Sequence, residues 1–236
     1  MKTKALIFAA FIFLAFLPAP AQELGDKVYK EVTVDGKQVY KWMECSSIGE
    51  YDENGNQIHV KKSFGYEQWC EYDSKGNRIH EKYSDGYEWW YEYDTKGNMI
   101  HRKSSSGVEW WNEYDTQGNM IHAKSASGTE WWYEYDLSGN EIYSKSSSGD
   151  EEWYEYDSKG NRIHSKNSDD TEWWCEYDSK GNLIHSKSST GSEEWYEYDS
   201  KGNRIHEKDS NGYEYWYEYT FHPNGKIKTK KSYEAI

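Results

Sequence analysis

The chain has 236 residues, with 42 acidic and 28 basic side chains and a formal net charge of −14 at pH 7. An acidic surface repels phosphate backbones, which excludes nucleic acid as a natural partner. High charge with low hydrophobicity is typical of disordered chains, but the 13 tryptophans and 23 tyrosines recur at fixed positions, as a packed structure requires.

The N-terminus carries the features of a secretory signal peptide. Lys2 and Lys4 precede an apolar run over residues 5–17, and an Ala-Pro-Ala cleavage site follows at 19–21. We therefore predict a signal peptide over residues 1–21 and an exported mature chain that is secreted, periplasmic or held at the cell surface. An uncleaved membrane anchor is the alternative, but the run is shorter than the about 20 residues that span a bilayer. No later stretch predicts a transmembrane segment.

The rest of the chain is an array between two atypical ends. Residues 22–50 predict a β-hairpin that turns at Asp35-Gly36, interpreted as an N-terminal cap, and residues 220–236 are interpreted as a C-terminal cap. Between them, residues 51–219 repeat a Tyr-Asp pair every 21 residues. The copies are Tyr51-Asp52, Tyr72-Asp73, Tyr93-Asp94, Tyr114-Asp115, Tyr135-Asp136, Tyr156-Asp157, Tyr177-Asp178, Tyr198-Asp199 and the variant Tyr219-Thr220.

Each 21-residue unit predicts one β-hairpin, as the unit over residues 87–107 illustrates. An aromatic strand over 87–94 is followed by an Asp-Thr-Lys-Gly turn, a second strand over 98–103 and a Ser-Ser-Ser-Gly return turn. We therefore predict an all-β protein, an antiparallel β-hairpin meander without helices after the signal peptide. A flat sheet of about 18 strands exceeds the usual limit of about 10, so we expect a long twisted or curled sheet or shell.

Alternation along the strands predicts two different faces. Trp90 points one way, while Trp89 and Tyr91 point the other. A turn with three loop residues would place Ile100 on the Trp90 face and His101 on the Tyr91 face. The two apolar columns then form the predicted core, namely Trp69, Trp90, Trp111, Trp132, Trp153, Trp174, Trp195 and Trp216 with Ile58, Ile79, Ile100, Ile121, Ile142, Ile163, Ile184 and Ile205.

Paired tryptophans predict a binding surface. Two neighbouring tryptophans cannot both point inward on a regular strand, so one of each pair faces outward unless curvature buries both faces inside a shell. Tryptophan and tyrosine suit sugar rings and partner proteins because they are both apolar and polar. The predicted exposed, ligand-binding aromatics are Trp89, Tyr91, Trp110, Trp131, Tyr133 and Trp173.

The phrase YDSKGNRI, with Tyr-Asp followed by Gly-Asn at a fixed offset, resembles the YD repeat of the Rhs family. The resemblance covers residues 51–219 and implies β-hairpins that wind into a hollow shell, often at cell surfaces or around a toxin. The closing segment YTFHPNGKIKTKKSYE is similar to the repeats of MORN-like, YwqK-type proteins. Unlike Rhs proteins, this sequence shows no Rhs-associated core motif, so toxin encapsulation is not predicted.

Metal ligation is not favoured by the repeated polar residues. Equivalent histidines in a column that includes His101 would lie two strands apart, about 9–10 Å, too far to share a zinc ion. The Asp-x-x-Gly-Asn turn places glycine fourth rather than sixth, unlike an EF-hand, and turn chemistry already explains it. We predict no metal and no cofactor.

The three cysteines, Cys45, Cys70 and Cys175, leave two alternatives open. An odd number in an exported chain means that at least one thiol is free or paired between chains. A Cys45–Cys70 disulfide is one alternative. The other, which we prefer, is that all three are small buried apolar residues.

The sequence thus predicts an exported bacterial repeat protein that is a binding or structural scaffold at the cell surface or outside the cell. Its expected partner is a glycan or another surface protein, bound through rows of aromatic side chains. No nucleophile elbow, zinc-protease motif or phosphate loop occurs, so we predict that the protein is not an enzyme. The alternatives are a glycan hydrolase, an inert spacer and an immunity-type repeat protein.

Overall fold

The computed structural model describes residues 23–34 and 37–235, and every regular element in these ranges is a β-strand. The predicted signal peptide and the predicted turn at Asp35-Gly36 lie outside the described residues. The strands are β1 (Lys27–Val34), β2 (Lys37–Tyr51), β3 (Gln57–Lys62), β4 (Glu67–Tyr72), β5 (Arg78–Tyr83), β6 (Glu88–Tyr93), β7 (Met99–Ser104), β8 (Glu109–Tyr114), β9 (Met120–Ser125), β10 (Glu130–Tyr135), β11 (Glu141–Ser146), β12 (Glu151–Tyr156), β13 (Arg162–Asn167), β14 (Glu172–Tyr177), β15 (Leu183–Ser188), β16 (Glu193–Tyr198), β17 (Arg204–Asp209), β18 (Glu214–Phe221) and β19 (Ile227–Ala235).

The strands form one antiparallel meander that closes on itself. Each strand from β2 to β18 pairs with the next along the chain, and β19 pairs back with β2. Strands β2–β19 therefore make a closed ring of 18 strands, which confirms the prediction of an all-β hairpin meander curled into a shell. Closure leaves no edge of the ring unpaired, and this removes the aggregation hazard of an open sheet.

The turn after each aromatic strand is built from Asp and Gly, as Asp94 and Gly97 show. The Gly97 N–H donates to the Asp94 carbonyl at 3.1 Å, and the Asp94 N–H donates to the Asn98 carbonyl at 2.9 Å. Gly97 has a φ of 93°, in the left-handed region where a side chain would be strained. The same turn recurs in the eight units that carry the aspartate, whereas the last hairpin turns at His222 and Gly225.

A β-bulge follows each of these turns. In the type unit, Tyr93 lies opposite Met99 and Glu92 lies opposite His101, so Ile100 is the extra residue of the bulge. A bulge changes the alternation of side chains along its strand. It therefore decides which face of the sheet the following residues reach.

The two ends of the array are joined at β2. This 15-residue strand pairs with β19 on one side, and with β1 and β3 on the other. The junction contains a small apolar core of Met43, Cys45, Trp216 and Tyr233, each less than 10% exposed. We call this cluster the clasp. The segments predicted as caps are therefore held against each other rather than ending an open stack.

Candidate functional site

The bulge reverses the predicted distribution of residues between the two faces. Trp90, Glu92 and His101 lie on the same side because cross-strand partners share a face, whereas His101 was expected on the Tyr91 side. The predicted core is also wrong at most of its positions, although Trp216 does pack in the clasp. The Trp90 column is 39–43% exposed at six of its eight positions, and seven isoleucines of the other column are 36–39% exposed. We call this surface, with Trp90, Glu92, His101 and their equivalents, the Trp–His face.

The Trp–His face carries a row of five side chains that crosses five neighbouring strands. In one row Glu113, His122, Trp132, Lys145 and Glu151 are successive cross-strand partners. The His122 and Trp132 rings are stacked, with centroids 5.5 Å apart and an interplanar angle of 23°. The Lys145 ammonium lies 2.7 Å from the Glu151 carboxylate. This row therefore presents an indole that is fixed by an imidazole and flanked by charged groups.

Carboxylates hold the histidine of each row from both sides. Nδ1 of His122 lies 3.7 Å from Glu113, and Nε2 lies 3.2 Å from Glu130. Glu130 also forms an ion pair with Lys124, in which the Lys124 ammonium lies 2.7 Å from Oε1 of Glu130. The hydrogen bonds from Lys124 and His122 lower the pKa of Glu130. The imidazole orientation is thus set by the charged groups around it.

The row repeats around most of the ring. Six further rows have the same order of partners, with Tyr143 replacing histidine in one of them. The seven rows begin at Glu50, Glu71, Glu92, Glu113, Glu134, Glu155 and Glu176 and contain Trp69, Trp90, Trp111, Trp132, Trp153, Trp174 and Trp195. Sequence reasoning identified both columns but not the rows, because the rows depend on the bulge. The 21-residue spacing of Glu, His, Trp and Lys was the available signal.

An eighth row is covered by the chain itself. Here His206 and Trp216 are only 3% and 6% exposed, since the β1–β2 hairpin packs over them. Lys41 forms an ion pair with Glu214 and lies 4.9 Å from the Trp216 ring centroid. The hairpin therefore occupies the position that is open to solvent in the six rows whose tryptophan is exposed.

The predicted ligand-binding aromatics lie on the opposite side of the sheet. We call this surface, with Trp89, Tyr91, Ser104 and their equivalents, the Tyr–Ser face. Large side chains on one strand there oppose small ones on the next, as Trp89 opposes the fully buried Ser104. The assignment of this surface as the exposed one is wrong for most of its members. Trp89, Tyr91, Trp110, Trp131 and Tyr133 are half-buried, and Trp173 is 37% exposed.

Tyrosines of the Tyr–Ser face are anchored by hydrogen bonds. The Tyr91 hydroxyl donates to Glu81 at 2.8 Å, and the Tyr135 hydroxyl donates to the Met120 carbonyl at 2.8 Å. Burial raises the pKa of Tyr91 and of Tyr135 to about 12. These phenols are therefore fixed, neutral parts of the packing.

The turn carboxylates are already used by the backbone. Oδ1 of Asp52 accepts from the N–H groups of Asn54 and Asn56, at 2.9 and 2.8 Å, and Oδ2 accepts from the Asn56 side chain. Turn chemistry accounts for both oxygens, as expected. Across residues 23–34 and 37–235, no group of three or more His, Cys, Asp or Glu is arranged to hold a metal ion.

The three cysteines are free thiols. Cys45 and Cys70 are buried, and Cys175 is half-buried. Cys45 packs in the clasp on the Trp–His face, whereas Cys70 lies opposite Glu81 on the Tyr–Ser face. A Cys45–Cys70 disulfide is therefore not formed, and burial raises the pKa of both thiols.

In the described part of the chain there is also no helix long and apolar enough to cross a membrane.

No protein-family model and no curated protein matches the chain. Among solved structures it is similar to the Tc holotoxin pore of Photorhabdus luminescens, with 14% identity and a TM-score of 0.36 over 81% of this chain and 13% of that chain. A TcdB2–TccC3–Cdc42 structure matches with 13% identity and a TM-score of 0.39, over 83% and 16%. A porin-like protein from Bacteroides uniformis matches with 9% identity and a TM-score of 0.45, over 80% and 95%. The chain thus spans less than a fifth of the length of either toxin structure.

Proposed function

We propose that this chain is an exported, bacterial, YD-type repeat protein whose closed ring is a scaffold, and that its Trp–His face binds glycan chains. The observation that carries the proposal is the repeated row, in which an exposed indole stands between an imidazole and a lysine. Binding sites commonly combine an apolar platform with a few fixed polar groups. We propose no catalytic role, since the rows repeat one arrangement and none of them combines unlike acid and base groups in a distinct environment.

The chemistry of one row suits a sugar ring. The Trp132 side chain is 42% exposed and offers an apolar surface on which a pyranose can stack. The carboxylate of Glu130 and the ammonium of Lys145 lie around it and can accept from and donate to hydroxyl groups. The His122 ring fixes the indole in place, which lowers the entropic cost of binding.

The repetition of the rows suits a polymer. Equivalent tryptophans lie two strands apart, about 9.6 Å along the ring. An extended glycan that follows the ring would contact one indole at each step, and several weak contacts on one chain combine into much stronger binding. A long glycan should therefore bind far more tightly than its monosaccharide.

A surface protein is the second candidate partner. The eighth row, around Trp216, is covered by the protein's own β1–β2 hairpin, which brings Lys30 and Lys41 to Glu218 and Glu214. A partner with a β-hairpin that carries lysines would meet the same groups in the six rows whose indole is exposed.

The test compares two pairs of tryptophans in the mature protein that begins at residue 22. Trp111→Ala with Trp132→Ala removes two indoles of the Trp–His face, and Trp110→Ala with Trp131→Ala removes their chain neighbours on the Tyr–Ser face. Binding to a broad glycan panel is measured, followed by titration calorimetry on the glycans that bind. We expect the first pair to weaken binding of neutral glycans by about tenfold or more and the second pair to leave it within about twofold.

A conservative variant separates stacking from histidine chemistry. His122→Tyr copies the natural unit that has Tyr143 beside Trp153, whose rings lie 5.7 Å apart. It should keep glycan binding, because an aromatic ring still supports Trp132. No binding across the whole panel would contradict the glycan proposal, and capture of a protein with a basic hairpin would favour the second candidate.

The remaining alternatives have their own outcomes. A glycan hydrolase would release products from a bound glycan and would lose turnover when one particular carboxylate is changed. An inert spacer or immunity-type protein would keep its function when Trp111 and Trp132 of the Trp–His face are both replaced by alanine.

A further inference from the structure

One arginine on the Tyr–Ser face is held between two indoles and has no polar partner. The Arg102 guanidinium lies 5.6 Å from the Trp89 ring centroid and 5.5 Å from that of Trp110. Its Nε is buried without a hydrogen-bond partner, and Arg102 forms no hydrogen bond or ion pair with the described residues. An arginine has five N–H donors, and a buried donor without an acceptor is costly.

The other arginines on this side of the sheet do not share this condition. Arg78 is paired with Glu81, and Arg204 is paired with Glu207 at 2.5 Å. Arg162 lies over the Tyr154 ring, within the electrostatic reach of Glu141. Arg102 therefore stands out in a chain that has 42 acidic residues.

The two strands that flank Arg102 carry no carboxylate on its face, and Glu81, one strand further away on β5, is paired with Arg78. Its cross-strand partners are Tyr91 on β6 and Trp110 on β8. The remaining side chains of those strands on this face are aromatic or amide groups, because the glutamates of both strands belong to the Trp–His face. The strand positions thus leave the guanidinium free for an acceptor from outside the chain.

We infer that Trp89, Arg102 and Trp110 form a subsite for the carboxylate-bearing ring of an acidic glycan, such as a uronic acid residue. A guanidinium binds a carboxylate through two parallel hydrogen bonds, and each indole beside it offers a surface for the attached ring. This inference rests on the proposed glycan binding for its ligand class but uses the opposite face. It also gives Trp89, Tyr91 and Trp110, expected from the sequence to bind ligand, a role beside Arg102.

The chain contains a matched position without the charge. Ser165 lies between Tyr154 and Trp173, just as Arg102 lies between Tyr91 and Trp110. Arg102→Ser therefore copies a natural unit and should fold. The reciprocal Ser165→Arg places a guanidinium beside Trp173, and Arg162→Ser removes one positive charge elsewhere on the same face.

The experiment measures binding of trigalacturonic acid, with neutral galactotriose as the matched ligand, by calorimetry and by tryptophan fluorescence. We expect Arg102→Ser to weaken trigalacturonic acid binding by about tenfold or more and Arg162→Ser to change it by less than about twofold. Ser165→Arg should not add a second binding site, because Glu152 occupies the position that Trp89 holds beside Arg102. Acetate and triglutamate at equal ionic strength report on simple carboxylate attraction.

Two outcomes would overturn the inference. One is equal binding of trigalacturonic acid to the wild type and to Arg102→Ser, which would leave Arg102 a purely structural role between the indoles. The other is equal binding of triglutamate, which would remove the sugar specificity. The proposed function is tested by a different measurement, the binding of neutral glycans, because that binding depends on Trp111 and Trp132 on the other face.

Discussion

Each turn aspartate does three things for its hairpin, and all three follow from residue chemistry. Oδ1 of Asp94 accepts from the backbone N–H groups of Lys96 and Asn98, and Oδ2 accepts from the Asn98 side chain. The backbone N–H of Asn98 and the other donors lower the pKa of Asp94. The sequence was sufficient to predict this turn, because every contact is made within five residues.

Acid should destabilise the hairpins, because folding lowers the pKa of the turn aspartates. A pKa that is lowered by folding means that the unfolded chain binds more protons, so the stabilisation is present above the unfolded pKa and is lost as pH falls through the folded one. We expect Asp94→Ala to lower the urea midpoint at pH 7 and to differ less from the wild type near pH 2. Urea unfolding followed by tryptophan fluorescence at both pH values measures this. An effect of equal size at both values would contradict the charge argument.

Alkali should also destabilise the fold, through the tyrosines of the Tyr–Ser face, because their pKa values are raised by folding rather than lowered. Burial raises the pKa of Tyr91, Tyr135 and Tyr219 to about 12, so the folded chain keeps protons that the unfolded chain loses near pH 10. Their stabilisation is therefore complete below about pH 10 and is lost as pH rises toward 12. Ultraviolet titration of tyrosinate should show a late phase that moves to about pH 10 in urea. A single native transition near pH 10 would exclude the effect.

At the scale of the element, one extra residue in each hairpin decides what the sheet presents. Ile100 is skipped in the pairing of β6 with β7, and this places His101 opposite Glu92. The strands, turns and period could be predicted from the sequence because they depend on local alternation and turn residues. The faces could not, since a bulge is set by tertiary pairing and changes the alternation beyond it. The candidate rows and the isolation of Arg102 both follow from that register.

Neighbouring tryptophans should therefore differ in what they contribute. Trp110 is half-buried on the Tyr–Ser face, where it opposes the buried Ser125, whereas Trp111 is 43% exposed. We expect Trp110→Ala to lower the free energy of unfolding more than Trp111→Ala, since it removes more packed surface. Chemical unfolding of the two single variants tests this order. The reverse order would mean that the Trp–His face is the main packing surface.

At the scale of the whole molecule, the clasp converts a ribbon into a ring. Met43, Cys45, Trp216 and Tyr233 come from the two ends of the chain, so no local pattern could predict that they meet. Single hairpins are marginal in water, and each one here gains stability from two neighbours. Pairing of β19 with β2 gives the terminal strands the same support as the central ones.

Removal of β19 should open the ring and expose two strand edges. A chain that ends at Lys226 leaves the facing sides of β18 and β2 without their partner. Exposed edges pair with other chains, so we expect dimers or larger species in size-exclusion chromatography with light scattering. Deletion of one complete unit, residues 87–107, is the control and should leave the oligomeric state of the full-length protein unchanged. A truncated chain that matches the full-length protein in oligomeric state would argue that the edge is protected in another way.

The pairing of first strand with last has a consequence for how such a protein can change over time. Every unit supplies two antiparallel strands, so a duplication or loss of 21 residues keeps the strand number of the ring even. The first and last strands of the ring can then still pair, and the clasp can still form. The perimeter then grows or shrinks in increments of about 9.6 Å. Unequal recombination within the gene would therefore yield proteins whose rings differ in perimeter, and each of these rings would be closed from the start.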